Sequence, residues 1–519
     1  MHFPAPASII LSVTSEHGHS SVDSVECLTK QVAKGGAIAF FGQVIGKFFT
    51  LLLQIVLTRV LGPAGYGLYA LGFSVLGIAQ TLSMLGLQNG VVRFGAMYHG
   101  SGDKARLKGT LLLALVLSFS SAWLIALVLY LLSATIAQDV FNEPALTGPL
   151  RVFAFALPFS TLVSMTSFSA RALRRIDYDV LISQISRPLS TLLFVSGSFL
   201  LGYRLTGALA GFLASTVLSA ALGLYLLHHL FPELTVGSRA HYEVRTLLLY
   251  SLPLLLVGLS SLLITRTDRI MLGILGSVHD VGIYNAAAML AGQATLFMVS
   301  LTAMFSPIIA DLFNQRRMEE LGTLFKTTTK WIFTLTLPLV LVFILFAQPI
   351  MKFFGPEFSS GAPVLIALGI AELVDAGVGP VWSMLTMTGR QKLELMNSLA
   401  LGGLNVFLNF LLIPKYGILG AGVATGLSVT LVNLARLIEV YLLYQLHPYK
   451  FSYWKPLVSG VVTALVWLGI RQLLSLTGWL WVGGVALVGV IYMSILIALG
   501  LDDEDRLVLR ALRKRILRY

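Results

Sequence analysis

Val60–Gly72 reads VLGPAGYGLYALG, and Ile274–Ala287 reads ILGSVHDVGIYNAA. Leu61-Gly62 of the first falls on Leu275-Gly276 of the second at an offset of 214 (275 − 61), and Gly67 and Tyr69 fall on Gly282 and Tyr284 after one inserted residue. A second pair lies further along each half. Tyr203–Ser215, YRLTGALAGFLAS, and Tyr416–Ser428, YGILGAGVATGLS, share Tyr, Gly, Ala and Ser at an offset of 213 (416 − 203). Two separate matches at nearly one offset read as duplication of a unit of about 210 residues. In a membrane chain, duplicated bundles place their site between two halves that move against each other.

Composition makes this a membrane chain. Of 519 residues, 56% are hydrophobic and 12% charged, with a mean hydropathy of +0.84. A soluble domain carries roughly 25% charged residues, so lipid must be the main solvent here. About fourteen apolar segments are long enough to span: 36–59, 66–91, 109–136, 147–169, 180–202, 206–229, 247–275, 282–308, 330–352, 361–386, 394–414, 417–444, 456–475 and 478–500. The first six and the next six form the two units, and the last two are an added pair. Six crossings return the chain to its starting side, which predicts a parallel pseudo-two-fold along the membrane normal. The expected class is an all-α polytopic membrane protein of about 14 transmembrane helices: two pseudo-symmetric six-helix lobes plus a C-terminal helix pair. The expected boundaries are a disordered cytoplasmic tail at 1–33, an N-terminal lobe at 34–230, a cytoplasmic linker at 231–246, a C-terminal lobe at 247–446, the pair at 447–500, and a basic amphipathic cytoplasmic tail at 501–519. The apolar run Ser8–Val13 is short and lacks a basic flank, so the first segment reads as a tail and not a cleaved signal.

The net charge of +12 lies in the connections. On one side stand two lysines at 30–34, four Lys/Arg at 93–108, three at 171–175, two at 239–245, four at 316–330, two at 390–392, two at 450–455 and six at 506–518, which is 25. The other side holds Arg59, Arg151, Arg204, Lys352, Lys415 and Arg471, which is 6. This bias predicts both termini in the cytoplasm and reports orientation, not nucleic-acid binding. The outer connections leave no room for a catalytic domain. The lone Cys27 excludes an intramolecular disulfide. There is no GxxxxGK[ST] loop and no HExxH, and the acidic run Asp502–Asp505 reads as a helix N-terminal charge cluster. The expectation is a non-enzyme without a resident metal.

A charge at bilayer depth costs roughly 2.5–3.5 kcal/mol, so each one needs a partner or a wet cavity. Gln43, Lys47, Thr50, Gln54 and Thr58 step by 4, 3, 4 and 4 and share one helical face. Lys47 is near mid-span, too deep to snorkel easily, and reads as cavity-lining. In the repeat mate, Gln54 aligns with Asp268 at 214 (268 − 54), beside Thr265, Arg266 and Arg269. Asp268 is expected to pair with one arginine. Arg266 and Arg269 are open between a lumen role and an outer-interface anchor. Arg187 precedes Pro188, a kink residue, and is open between the cavity and snorkelling. Asn285, Gln293 and Ser300, like Ser398, Asn405 and Asn409, read as interhelical contacts. Arg436 and Glu439, three apart, read as a local ion pair. Glu372 and Asp375 lie one turn apart near mid-span, ahead of Gly377, Gly379 and Pro380. They read either as a proton or cation site or as salt-bridge partners of Lys47 or an arginine.

Thr58–Gly72, Val91–Gly100 (VVRFGAMYHG), Arg171–Asp179 (RALRRIDYD), Asp268–Gly276 with Val281–Met289, and Lys415–Ser428 resemble the polysaccharide-unit (Wzx-like) flippases. That family belongs to the multidrug/oligosaccharidyl-lipid/polysaccharide exporter superfamily. The resemblance runs from about Lys34 to Gly500. It implies a MATE-like fold, the cytoplasmic membrane, alternating access, and a polyprenyl-diphosphate-linked oligosaccharide as cargo for cell-surface polysaccharide biosynthesis. A polymerase and glycosyltransferases would act beside it. The deep cations Lys47, Arg187, Arg266 and Arg269 suit a diphosphate headgroup, and Gln43 and Gln54 suit sugar hydroxyls. No cofactor is expected beyond a coupling ion, H+ or Na+, at Glu372 and Asp375. The alternatives on the same fold are a cation-coupled exporter of drugs or small molecules and a lipid II flippase.

Overall fold

The computed structural model describes residues 20–234, 239–473, 480–500 and 502, and no strand forms among them. The helices are α1 (Ser20–Ser83), α2 (Leu87–Ser101), α3 (Lys104–Thr135), α4 (Thr147–Ala172), α5 (Ile176–Asp179), α6 (Arg187–Leu200), α7 (Leu205–Leu230), α8 (Val244–Leu275), α9 (Val278–Ala291) and α10 (Thr295–Asn314). They continue with α11 (Met318–Leu345), α12 (Ala347–Phe354), α13 (Ala362–Val378), α14 (Val381–Met387), α15 (Gln391–Tyr444), α16 (Trp454–Leu473) and α17 (Leu480–Ala498). Among the described residues, ten helices are long and apolar enough to cross a membrane. An eleventh is α8, bent by 55° between Val244–Ser260 and Thr265–Leu275. The chain is an all-α, multi-pass membrane protein.

Two glycines turn the chain inside its longest helical runs. A straight helix of 54 residues, the length of α15, would run about 80 Å, against a hydrocarbon core of about 30 Å. Gly417 interrupts it at φ 56°, and Gly62 interrupts α1 at φ 65°. A Cβ at either would meet nothing within 4 Å, so the backbone angle and not crowding calls for glycine there. Pro63 follows Gly62 at a helix start, where its missing N–H costs nothing.

Several segments differ from the apolar pattern. The stretch 66–91 is broken between Ser83 and Leu87, where Leu85 and Gly86 take φ 51° and 72°. The stretch 282–308 is broken between Ala291 and Thr295, and 361–386 at Gly379-Pro380. Apolar composition runs across these breaks because both sides face lipid or packed helix. The tail expected to be disordered over 1–33 is helical from Ser20, as a continuation of α1, while residues 1–19 lie outside the description. The tail at 501–519 also lies outside it, apart from Asp502. That carboxylate accepts from Lys330 at 2.5 Å and Lys455 at 2.6 Å, fastening the end of α17 to α11 and α16.

Packing in the first half centres on α1, α4 and α7. There Tyr69, Phe73, Phe153 and Phe212 form an aromatic cluster, with Phe153 and Phe212 centroids 5.3 Å apart. Such pairs add about 0.5–1.5 kcal/mol each beyond area burial. In the second half α13 packs on α11 and α15. α16 and α17 lie against α11, with Phe346 and Trp467 rings 4.7 Å apart and the Tyr492 hydroxyl donating to the Thr334 carbonyl at 3.0 Å. Large apolar side chains of α3, among them Trp123, Leu124, Leu127 and Leu131, point outward as a lipid-facing surface must. The two halves meet chiefly where the Pro63–Ser83 part of α1 lies on α9.

Candidate functional site

A cavity of about 160 Å3 lies where α1, α8 and α9 converge. Gln54, Tyr66, Tyr69, Ala70 and Phe73 line it from α1, Arg266 and Arg269 from α8, and Asn285 and Met289 from α9. Its lining holds two guanidinium groups and no carboxylate. The Arg266 guanidinium lies 5.2 Å over the Phe73 ring, a cation–π contact that orients it without neutralising it. Arg269 donates Nη1 to the Thr265 carbonyl at 2.7 Å, while its buried Nε has no partner. Like charges three apart on one helix are neighbours and repel. Desolvated cations in this arrangement favour an anion among them.

The other end of the cavity is closed by neutral groups. Tyr66 is fully buried; its hydroxyl donates to Gln54 Oε1 and accepts from Asn285 Nδ2 at 2.5 Å. Its ring tilts against Phe358 at 6.2 Å. Behind the wall, the Arg187 guanidinium lies 5.5 Å over Phe212, whose ring meets Tyr69 and Phe73 edge-on. Arg187 therefore stands one aromatic layer outside the lining. It follows a π-helical segment, Val180–Ser186. Pro188 has no N–H for the Gln184 carbonyl four residues back, and that carbonyl turns to α1. A Cβ on Gly46 would stand 2.4 Å from Gln184 O, and one on Gly42 2.1 Å from Val180 Cγ1. Two glycines thus let α1 press on the π segment beside Lys47.

The expected residues separate in space. Gln54, Arg266 and Arg269 line the cavity. Lys47 and Gln43 share the face of Gln54 but stand about 10 and 16 Å along the helix at 1.5 Å per residue, outside that lining. Lys47 and Glu372 feel each other's charge without a direct ion pair. Asp375 accepts from Asn433 at 2.5 Å. Asn433 in turn accepts from Arg436 at 2.9 Å. Arg436 pairs with Glu394 at 2.5 Å and not with Glu439, which accepts from Asn397 at 2.6 Å. The antiparallel segments of α15 on either side of Gly417 bring Glu394 closer than the residue one turn away. Asp268 is also partnered differently from expectation: Tyr284 donates to it at 2.6 Å and Asn409 at 2.9 Å. At about 100° per residue, Arg269 and Arg266 lie about 100° and 200° round the helix from Asp268, so the carboxylate faces α9 and α15 instead. Asn409 and Asn405, joined at 3.0 Å, and Thr425 at 3.1 Å extend this network.

The sequence did not single out Tyr66, Tyr69, Ala70, Phe73 and Met289 as lining residues, while Asn285, read as an interhelical contact, makes that contact with Tyr66 and also lines the cavity. The signal available was the repeat itself, since Tyr69 is the mate of Tyr284. Among the described residues no group of three or more His, Cys, Asp or Glu could hold a metal ion.

Fold and cavity define a multi-pass, all-α membrane protein with a cationic cavity between its halves. The chain belongs to the polysaccharide biosynthesis protein family, whose pattern matches residues 32–313, and a MatE pattern matches residues 253–411. It is 27% identical over 175 residues to "Probable flippase AglR" of Haloferax volcanii, spanning 32% of this chain and about a third (36%) of that relative. It is 23% identical over 456 residues to "Probable low-salt glycan biosynthesis flippase Agl15" of the same organism, covering 86% of this chain and 91% of that one. A structure of lipid II flippase MurJ in an inward closed conformation aligns with TM-score 0.67 at 14% identity, over 89% of this chain and 98% of that chain. An inward-facing multidrug resistance MATE family transporter aligns with TM-score 0.64 at 15% identity, over 78% and 98%. The fold is MATE-like, and the chain is a transporter of that superfamily in the membrane.

Proposed function

We propose that the chain is a flippase that carries a polyprenyl-diphosphate-linked oligosaccharide from the inner to the outer leaflet of the cytoplasmic membrane. The observation that carries this reading is the cavity with two arginines and no lining carboxylate. A diphosphate would complete the donors of Arg266 and Arg269, including the unpartnered Nε. Gln54 would meet sugar hydroxyls, with Gln43, Lys47 and Arg187 serving headgroups on their way in. Likeness to two archaeal proteins named as probable flippases supports the cargo class.

The same proposal includes two six-helix lobes, both termini in the cytoplasm, and alternating access. Gly62 and Gly417 divide α1 and α15, and α8 and the helical run 176–200 join the ten spans, which supports fourteen crossings. The Lys/Arg bias supports the orientation. Glu372 and Asp375 would bind the coupling ion, H+ or Na+, with Lys47 sensing the occupancy of Glu372 through its charge.

A second reading has its own support. The MatE match and the two structural likenesses favour export of a small solute, or of lipid II, on this fold. Proteoliposomes offered a fluorescent polyprenyl-diphosphate disaccharide, lipid II or an organic cation separate the three. The oligosaccharide reading expects lipid-linked disaccharide to cross, and Lys47→Ala to cross it more slowly than Lys47→Arg at equal expression. Transport of the organic cation alone refutes it.

A further inference from the structure

The two repeat units touch through a reciprocal contact. A Cβ on Gly67 would stand 1.7 Å from the Val278 carbonyl oxygen, and one on Gly282 would stand 2.0 Å from the Pro63 carbonyl oxygen. Pro63 and Val278 are separated by the same 215 positions (278 − 63) as Gly67 and Gly282 (282 − 67). Each unit therefore offers one carbonyl to the other's glycine, the pattern of an isologous interface. No larger residue fits, because the backbones themselves are in contact. Two side-chain bonds cross at this seam. Arg59 Nε donates to the Phe353 carbonyl at 2.7 Å, its guanidinium 5.5 Å over the Phe353 ring. Asn285 Nδ2 donates to the Tyr66 hydroxyl.

Tyr66 belongs to both the seam and the cavity. It sits next to Gly67, it takes the seam-crossing bond from Asn285, and it lines the cavity along with its other partner, Gln54. Both partners are amides, with donors and acceptors that also match sugar hydroxyls and phosphate oxygens. A headgroup held at Arg266 and Arg269 would reach the same amides.

We propose that Tyr66 couples occupancy of the cavity to opening of the glycine seam: a headgroup bonded to Asn285 and Gln54 takes their bonds from the Tyr66 hydroxyl and releases the contact between Gly67 and Gly282. This rests on the headgroup-transport reading and adds a latch residue to it. An occupied cavity then favours the state open on the side where Arg59 and Phe353 meet, and an empty one favours the closed seam.

The test places spin labels at Ala64→Cys and His279→Cys, both exposed beside the seam, in a Cys27→Ser background in nanodiscs. Electron–electron dipolar spectroscopy then reads the distance across it. Tyr66→Phe removes the hydroxyl and keeps the ring on Phe358. It is expected to raise the long-distance population roughly five- to tenfold, the shift that loss of one buried hydrogen bond gives. Polyprenyl diphosphate added to the wild-type seam is expected to raise it likewise, and added to Arg269→Gln to leave it unchanged. If Tyr66→Phe leaves the wild-type distance distribution intact, the latch is overturned. If Tyr66→Phe lengthens the distance but polyprenyl diphosphate does not, the hydroxyl holds the seam, while its coupling to occupancy and the headgroup reading are overturned together.

Discussion

The cavity between the halves and the polar cluster inside the second half are built on opposite plans. The cavity holds two guanidinium groups with unused donors and no lining acid. The cluster between α13 and α15 joins one guanidinium, Arg436, to Glu394 directly and to Asp375 through Asn433, with Glu439 bonded to Asn397 beside it. That guanidinium is satisfied by Glu394, Asn433 and Ser398. A group that must receive a passing ligand keeps donors free at a cost in stability. A group that holds helices together uses every donor it has. Burial alone does not separate the two, since both clusters are largely shielded from solvent; partner counts do.

The sharpest way to break this contrast is Arg436→Ala. Removing one member of a buried pair strands Glu394 and should cost about 3–5 kcal/mol, read as a large fall in the melting temperature in detergent. If the melt is unmoved, the cluster is not structural. Arg269→Gln should do the reverse. Its loss relieves repulsion with Arg266, so the melt should hold or rise, while headgroup transport falls about 10- to 100-fold, as for a lost charged hydrogen bond of about 1.5–3 kcal/mol. Equal transport by wild type and Arg269→Gln would remove the cavity from the mechanism. The double variant Glu372→Gln, Asp375→Asn tests the two acids of α13, neither of which pairs directly with Arg436. Binding of polyprenyl diphosphate should persist, and the response of flipping to an imposed proton or sodium gradient should drop by about tenfold if one ion binds there. A retained gradient response returns both acids to a packing role. The smallest effect is expected of Phe212→Leu, which removes the ring under Arg187 and its edge contacts with Tyr69 and Phe73. About 1–2 kcal/mol of stability should go, with transport slowed only slightly.

The sequence carried the membrane class plainly, because hydropathy is a one-dimensional property. Arg266 and Arg269, open on sequence between a lumen role and an outer-interface anchor, line the cavity. Other features depended on residues distant in the chain. The Tyr66–Asn285 bond spans 219 positions (285 − 66), and nothing local to Tyr66 announces it. Arg436 was assigned to Glu439 because helical neighbours are the partners a linear reading can see. Its partner Glu394 is 42 positions away (436 − 394) and is returned by the turn at Gly417. Breaks such as Leu85-Gly86 were hidden because a helix interrupted in lipid keeps apolar residues on both sides.

The reciprocal meeting of Gly67 and Gly282 has a consequence for descent. A half-length chain with one copy of this turn would present its glycine to the same glycine of a twin, and the pair would close as a two-fold dimer without any new surface. Fusing two such genes would alter the connection and leave the contact as it was. Most of the two copies would then be free to drift apart. The glycines would not, since any side chain gained by one would collide with the backbone of the other. On that descent the seam would be the place where two halves have least opportunity to become different.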